Sequence, residues 1–259
     1  MENEIIKTGK ASSTEKRDGS LSKKIKDFQD LLTRFTNDHA DTVYRGVSDQ
    51  CYQLVSKFDR LCGSKGNQGT CASVHCKRSE ETKRECEKKL LTKFRTRAAS
   101  FVRHPPRNDW EWLSLAQHHG LPTRLLDWTD NPLVAAYFAV KDQNADKVDG
   151  AIYSLKGQGE YVNIEAHPQP FTSDISAGKR LLPVHVTNRI VAQAGLFTIA
   201  SIYEGDGFEL DKMVIPAAEK RNIRRSLNEY GINEFSLFPD LDSISKHLQW
   251  YSECYPDYQ

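Results

Sequence analysis

Apolar residues along the chain recur in two rhythms, and the rhythms divide it into elements. Leu21, Ile25, Phe28, Leu31, Leu32 and Phe35 return at intervals of three and four, which predicts an amphipathic helix from Leu21 to about Thr36. Asp41 to Gly46 reads as a short strand ending in a glycine turn. Cys62 to Ser79 holds three glycines and almost no large apolar side chain, the composition of a loop. From Glu80 to about Val102, Leu90, Leu91, Phe94 and Phe101 punctuate a charged sequence and predict a long surface helix. His104-Pro-Pro106 breaks it. A second helix begins at Asp109, runs through Trp112, Leu113, Leu115 and Ala116, and stops at Gly120, with Pro122 preventing its resumption.

Thr123 to Thr129 is then short and at once apolar and polar, as a strand emerging into a cleft is. Asp130-Asn131 supplies a cap and Pro132 a first helical residue, and Leu133, Ala136, Tyr137 and Val140 follow at helical spacing. Gly150 to Leu155 is a strand, and Tyr161 to Ile164 a candidate for one. His167 to Pro183 is a loop long enough to fold over a ligand. Asn188 to Ile202 predicts two strands about an Ala194-Gly195 turn, Met213 to Pro216 a last strand, and Ala217–Tyr230 and Ile244–Ser252 closing helices. Without regular alternation of strand and helix, the pattern indicates an α+β fold: mixed, mostly antiparallel short-stranded sheets packed with helices. Residues 1–20, polar and poor in apolar side chains, read as a flexible lead. Residues 21–259 read as one domain with a loop insert at about 62–79.

Composition changes this picture little. A chain of 259 residues with 38% hydrophobic and 27% charged residues is long enough for a sizeable core. No apolar run approaches a membrane span, and Met1-Glu-Asn-Glu4 lacks the pattern of a secretory signal, so a cytoplasmic protein without a membrane partner is expected. The net charge of +1 decides nothing, because clustering matters more than the total. Clustering is present: Lys83, Arg84, Lys88, Lys89, Lys93, Arg95, Arg97 and Arg103 fall on or beside the long helix. Glu80, Glu81, Glu85 and Glu87 balance its first half, giving a solvated surface; the less balanced half from Lys93 to Arg107 has the makings of a phosphate-tracking surface. Of six cysteines, five crowd between Cys51 and Cys86. Cys71, His75 and Cys76 fit no standard zinc spacing, so no metal is expected, and the thiols are expected to be reduced.

Several residues invite chemistry. Arg45, beside Gly46, has the fork to grip a phosphate or ribose, with the glycine admitting the ligand; it could equally pair with Asp127 or Asp130 and hold two segments together. Asp127, between Leu126 and Trp128, is expected to be partly buried and to need a partner. Trp128 offers an indole face and Thr129 a hydroxyl, though Trp128 fits an ordinary core equally well. His118 and His119 end a helix, where a histidine most simply meets the carbonyl ends. Neither Gly-x-Ser-x-Gly nor His-Glu-x-x-His occurs, which leaves serine hydrolases and zinc hydrolases without support.

Gln117-His-His-Gly-Leu-Pro-Thr-Arg-Leu-Leu-Asp-Trp-Thr-Asp-Asn-Pro-Leu-Val-Ala-Ala-Tyr-Phe-Ala-Val140, with Tyr44-Arg45-Gly46, resembles the FRG domain, a family named for its Phe/Tyr-Arg-Gly motif. Asn188 to Phe197 and Phe238 to Asp242 extend the likeness to roughly residues 25–250. Asp127 to Ala135, running on to Phe138-Ala139, is also similar to the middle motif of arginine-type ADP-ribosyltransferases, although Asp127-Trp-Thr129 stands where those enzymes carry Ser-Thr-Ser. That second resemblance implies an ADP-ribosyltransferase-like core with NAD as substrate. It makes Arg45, Asp127 and Gln193 the catalytic candidates, and Tyr44, Arg45, Gly46, His119, Arg124, Trp128 and Thr129 the NAD-binding ones. Gln193 sits near where a catalytic glutamate is wanted, so either it serves without a charge, or Glu204, Glu209 or Asp127 supplies the carboxylate, or no catalysis occurs. The implied protein modifies a macromolecule, RNA, DNA or protein, and would suit a toxin or phage-defence effector with a neutralising antitoxin-type partner. The alternative is a non-catalytic FRG module that recognises a nucleotide, nucleic acid or protein.

Overall fold

The computed structural model describes residues 23–36, 41–62, 79–157, 159–172, 175, 177–183, 191–202 and 208–255. The lead, most of the glycine-rich insert with Cys71, His75 and Cys76, the stretch Asn188–Ile190 and Glu204 lie outside these residues. Seven strands form one sheet: β1 (Lys23–Lys24), β2 (Val43–Val47), β3 (Leu125–Thr129), β4 (Gly150–Leu155), β5 (Arg180–Leu181), β6 (Gly195–Ile199) and β7 (Leu210–Ile215). Their order is β1-β7-β4-β2-β3-β6-β5, and every pairing except β1 with β7 is antiparallel. Helices α1 (Phe28–Phe35), α2 (Lys57–Cys62), α3 (Glu80–Ala98), α4 (Asp109–His118), α5 (Pro132–Val140), α6 (Lys220–Glu229), α7 (Glu234–Leu237) and α8 (Leu241–Cys254) complete the α+β fold.

Local chemistry explains most boundaries. The first helix starts at Phe28 rather than Leu21, because Asp27 caps it by accepting from the Asp30 N–H while Ile25 bonds to Val214 beside the sheet. Asn108 and Asn131 cap α4 and α5 in the same way, and Gly120 leaves α4 at φ 83°. Helix α3 ends at Ala98, four residues short of Val102. Tyr161 makes a single bridge to Arg180 instead of a strand, and the expected loop through Pro183 contains β5. Helices α2 and α7 have no counterpart in the apolar rhythm.

The sheet is covered on both faces. On one, Tyr44, Ile152, Met213 and Ile215 pack against α5 and α6, while Leu125, Phe197 and Ile199 pack against α3 and α4. On the other, Val43, Val47, Leu126, Trp128, Tyr153 and Leu196 enclose Leu54 and Ile202. Helix α5 lies close on β2: a Cβ on Gly46 would sit 1.8 Å from the Ala135 carbonyl oxygen. Buried cations tie the helices down. Lys220 Nζ donates to Ser48 O (2.6 Å) and Ala145 O (2.7 Å), and Arg224 closes the end of α5 through Val140 O while pairing with Asp146. Contrary to the expectation of reduced thiols, Cys51 is disulfide-bonded, whereas Cys86 and Cys254 are free. No helix among the described residues is long and apolar enough to cross a membrane.

Candidate functional site

Helices α4 and α5 cover different halves of one sheet face, and between them the strands β2, β3 and β6 are left as the floor of a cleft of about 530 Å³. Tyr44–Gly46, Asp127–Thr129 and Gly195–Phe197 form the floor. Gln117, His118, His119 and Gly120 at the end of α4 form one wall, and Val134, Ala135 and Phe138 of α5 the other, with Gln193 also in the lining. Arg45, Asp127 and Gln193 therefore lie around one cavity, although they are separated by 82 and 66 positions in the chain.

Strand pairing accounts for the shape. Strands β2 and β3 share a single register pair, Tyr44 with Thr129, and then part. Arg45 enters the gap, and its Nη1 donates to the Asp127 carbonyl oxygen at 2.5 Å, a group that a continued ladder would have used. The same nitrogen lies 3.6 Å from Asp127 Oδ2. Arg45 Nε is buried with no partner among the described residues. Arg60 is near enough to sense both charges. Burial and then Arg45 push its guanidinium below its ordinary value, and Asp127 opposes them.

Asp127 departs from the expectation of partial burial. Along β3 its neighbours Leu126 and Trp128 face the opposite core, so its carboxylate points into the cleft with 62% of the side chain exposed. A chain of hydrogen bonds fixes it: Thr123 Oγ1 donates to Gln117 Oε1 (2.6 Å), and Gln117 Nε2 donates to Asp127 Oδ2 (3.0 Å). Thr123 is fully buried, so this chain is anchored in the core. The apolar rhythm, which marks what is buried, gave no sign that Gln117 belongs to the site. The available signal was its place at the start of the stretch that resembles the FRG domain.

The other candidates divide. Thr129 Oγ1 donates to the Gln193 carbonyl (2.7 Å) and accepts from the Asn131 N–H, which joins the end of β3 to the turn before β6. Gln193 Nε2 donates to Leu237 O at 3.2 Å, and the next residue, Ala194, holds φ at 45°, a left-handed conformation costly for alanine. Trp128 borders the cleft but is 2% exposed and donates to Thr198 Oγ1, so its indole is a core group. Tyr44 is likewise buried, edge-on to Phe35 at 5.5 Å. Gly46 makes room for the α5 backbone rather than for a ligand. His119 caps α4, its ring edge-on to His118 at 4.9 Å. Arg124 is absent from the cleft lining: its Nε pairs at 2.5 Å with Glu87, whose other carboxylate oxygen accepts from the Arg124 backbone N–H at 2.6 Å. Burial pushes the Glu87 carboxyl up while Arg124 opposes the shift. Glu209 is not among the lining residues either. Among the described residues no group of three or more His, Cys, Asp or Glu side chains is arranged for a metal ion.

Residues 40–148 match the family model of the FRG domain. This span is narrower than the likeness read along the sequence, and the segments around Gln193 and Phe238 fall beyond it. No curated protein and no solved structure matches the chain. The matched span runs from just before β2 to just before β4 and contains both walls of the cleft and two of its three floor strands, and across it this chain carries an FRG domain.

Proposed function

We propose that the cleft binds NAD and that the protein transfers ADP-ribose from it to a macromolecule. The observation that carries this reading is the Asp127 carboxylate, the one acidic group in the described lining, exposed on the floor and oriented by Gln117. The cleft volume of about 530 Å³ lies within the range of small-molecule and cofactor sites, roughly 300–1,000 Å³. In the transfer, the bond from ribose C1′ to nicotinamide breaks, nicotinamide leaves with the bonding pair, and C1′ bonds to an acceptor oxygen or nitrogen that gives up its proton. A preoriented carboxylate accepts a hydrogen bond from a ribose hydroxyl and stabilises the positive charge that builds at C1′. Asp127 takes this role, because the Gln193 amide is neutral and engaged with Leu237 O.

The same engagement of Gln193, with no glutamate among the described lining residues, favours a second reading: a non-catalytic recognition cleft. Labelled NAD incubated with cell extract separates the two. The transferase reading expects label in protein, RNA or DNA, with Asp127→Asn lowering the rate by about 100-fold or more, as for loss of a group that stabilises transition-state charge. NAD binding without transfer selects the module; neither binding nor transfer rejects NAD as the ligand.

A further inference from the structure

The charge along α3 is divided. Its first half mixes signs, and Lys83 there is paired with Glu80 and Asp59. From Lys88 to Asn108 there is no acidic residue at all, while Lys88, Lys89, Lys93, Arg95, Arg97, Arg103 and Arg107 are all exposed. Removing these seven cations from the chain's net +1 leaves the other residues at −6, so the chain's positive excess lies in this stretch. Of the seven, Arg95 has a described ion pair, at 3.1 Å from Asp109. Lys89, Lys93 and Arg97 are spaced four apart and fall in one row along the helix. Beyond the helix end, Phe101 stands 88% exposed amid these cations, a position at which an aromatic ring gains nothing from the core.

A helix that only needed solubility would mix its charges, and a protein-docking face would bury its aromatic among apolar neighbours. A cationic row with an open aromatic ring suits a strand that carries a phosphate at each step and offers π-faces between them. We propose that the face formed by the second half of α3 and the segment to Arg107 binds single-stranded nucleic acid, with Lys89, Lys93 and Arg97 contacting phosphates and Phe101 stacking on a base. Helix α4 links this face to the cleft: Asp109 at its start meets Arg95, and Gln117 and His118 at its end form a cleft wall, about 12–14 Å away at helical rise. The inference stands without the NAD reading; together, the two identify the acceptor class.

The test is fluorescence anisotropy of a labelled single strand of about twenty nucleotides, titrated without NAD between about 50 and 200 mM salt. The expected result is binding that weakens with salt. The triple variant Lys89→Gln/Lys93→Gln/Arg97→Gln should flatten the log–log slope by about 2, at ~0.7 per contacted phosphate. Phe101→Ala should weaken binding by about 5- to 150-fold with little change in slope. Because all four side chains are exposed, unchanged melting temperatures confirm folding, and Lys246→Gln on α8 serves as the neutral control. No binding at the lowest salt, an unchanged slope in the triple variant, or an unchanged affinity in Phe101→Ala overturns the proposal. So does equal or tighter binding to the matching duplex or to anionic phospholipid vesicles.

Discussion

Each residue of the motif Tyr44-Arg45-Gly46 fastens β2 to a different neighbour. Tyr44 packs on Phe35 of α1, Arg45 crosses the gap to Asp127 of β3, and Gly46 admits the backbone of α5. The role of Arg45 therefore turns on a measurable distinction. Asp127 is exposed, so losing Arg45 strands no buried carboxylate; what is lost is a charge-assisted bond to a carbonyl, and an exposed ion pair adds little. Arg45→Ala is expected to lower stability by about 1–2 kcal/mol, and Arg45→Lys to recover part of this, because a single nitrogen makes both contacts. Thermal melts of the two variants check this. Full stability in Arg45→Ala, with NAD affinity lost and not restored by lysine, would instead assign the guanidinium fork to the ligand.

Elements with explicit punctuation are legible in the sequence alone: α4 and α5 carry asparagine caps, a proline start and a glycine stop, and they lie close to where those signals put them. What could not be read was which face of β3 meets which layer. Successive residues of a strand point opposite ways, and the coverage of one face by α4 and α5 puts Asp127 in the cleft and Trp128 in the core. Distant ion pairs were equally silent, as with Arg124, which is held by Glu87 from 37 positions away. Helix α6 illustrates a buried charge that no periodicity foretells. Burial holds the Lys220 ammonium below its ordinary pKa of 10.5, because the charged form is disfavoured away from water. The unfolded chain therefore binds more protons than the folded one in the window below pH 10.5, and this residue's contribution to stability rises with pH there. Denaturant melts from neutral to alkaline pH should show wild type gaining stability relative to Lys220→Met, a variant of similar length without the titration. A constant difference would contradict the assignment.

The whole molecule places an acidic point within a cleft and a cationic face along one flank, joined by α4. The α+β class followed from apolar patterning, whereas the parting of β2 from β3 in the cleft floor is announced by no local signal. The cleft above this gap, with Arg45 and Asp127 in its lining, is where NAD is expected to bind. Hydrogen exchange along the chain with and without NAD tests it most directly. Exchange is expected to slow in peptides spanning residues 117–129 and 193–199, where the cleft wall and floor lie, with α8 unchanged. Unaltered exchange across both spans at saturating NAD, or protection confined to another part of the molecule, would contradict it.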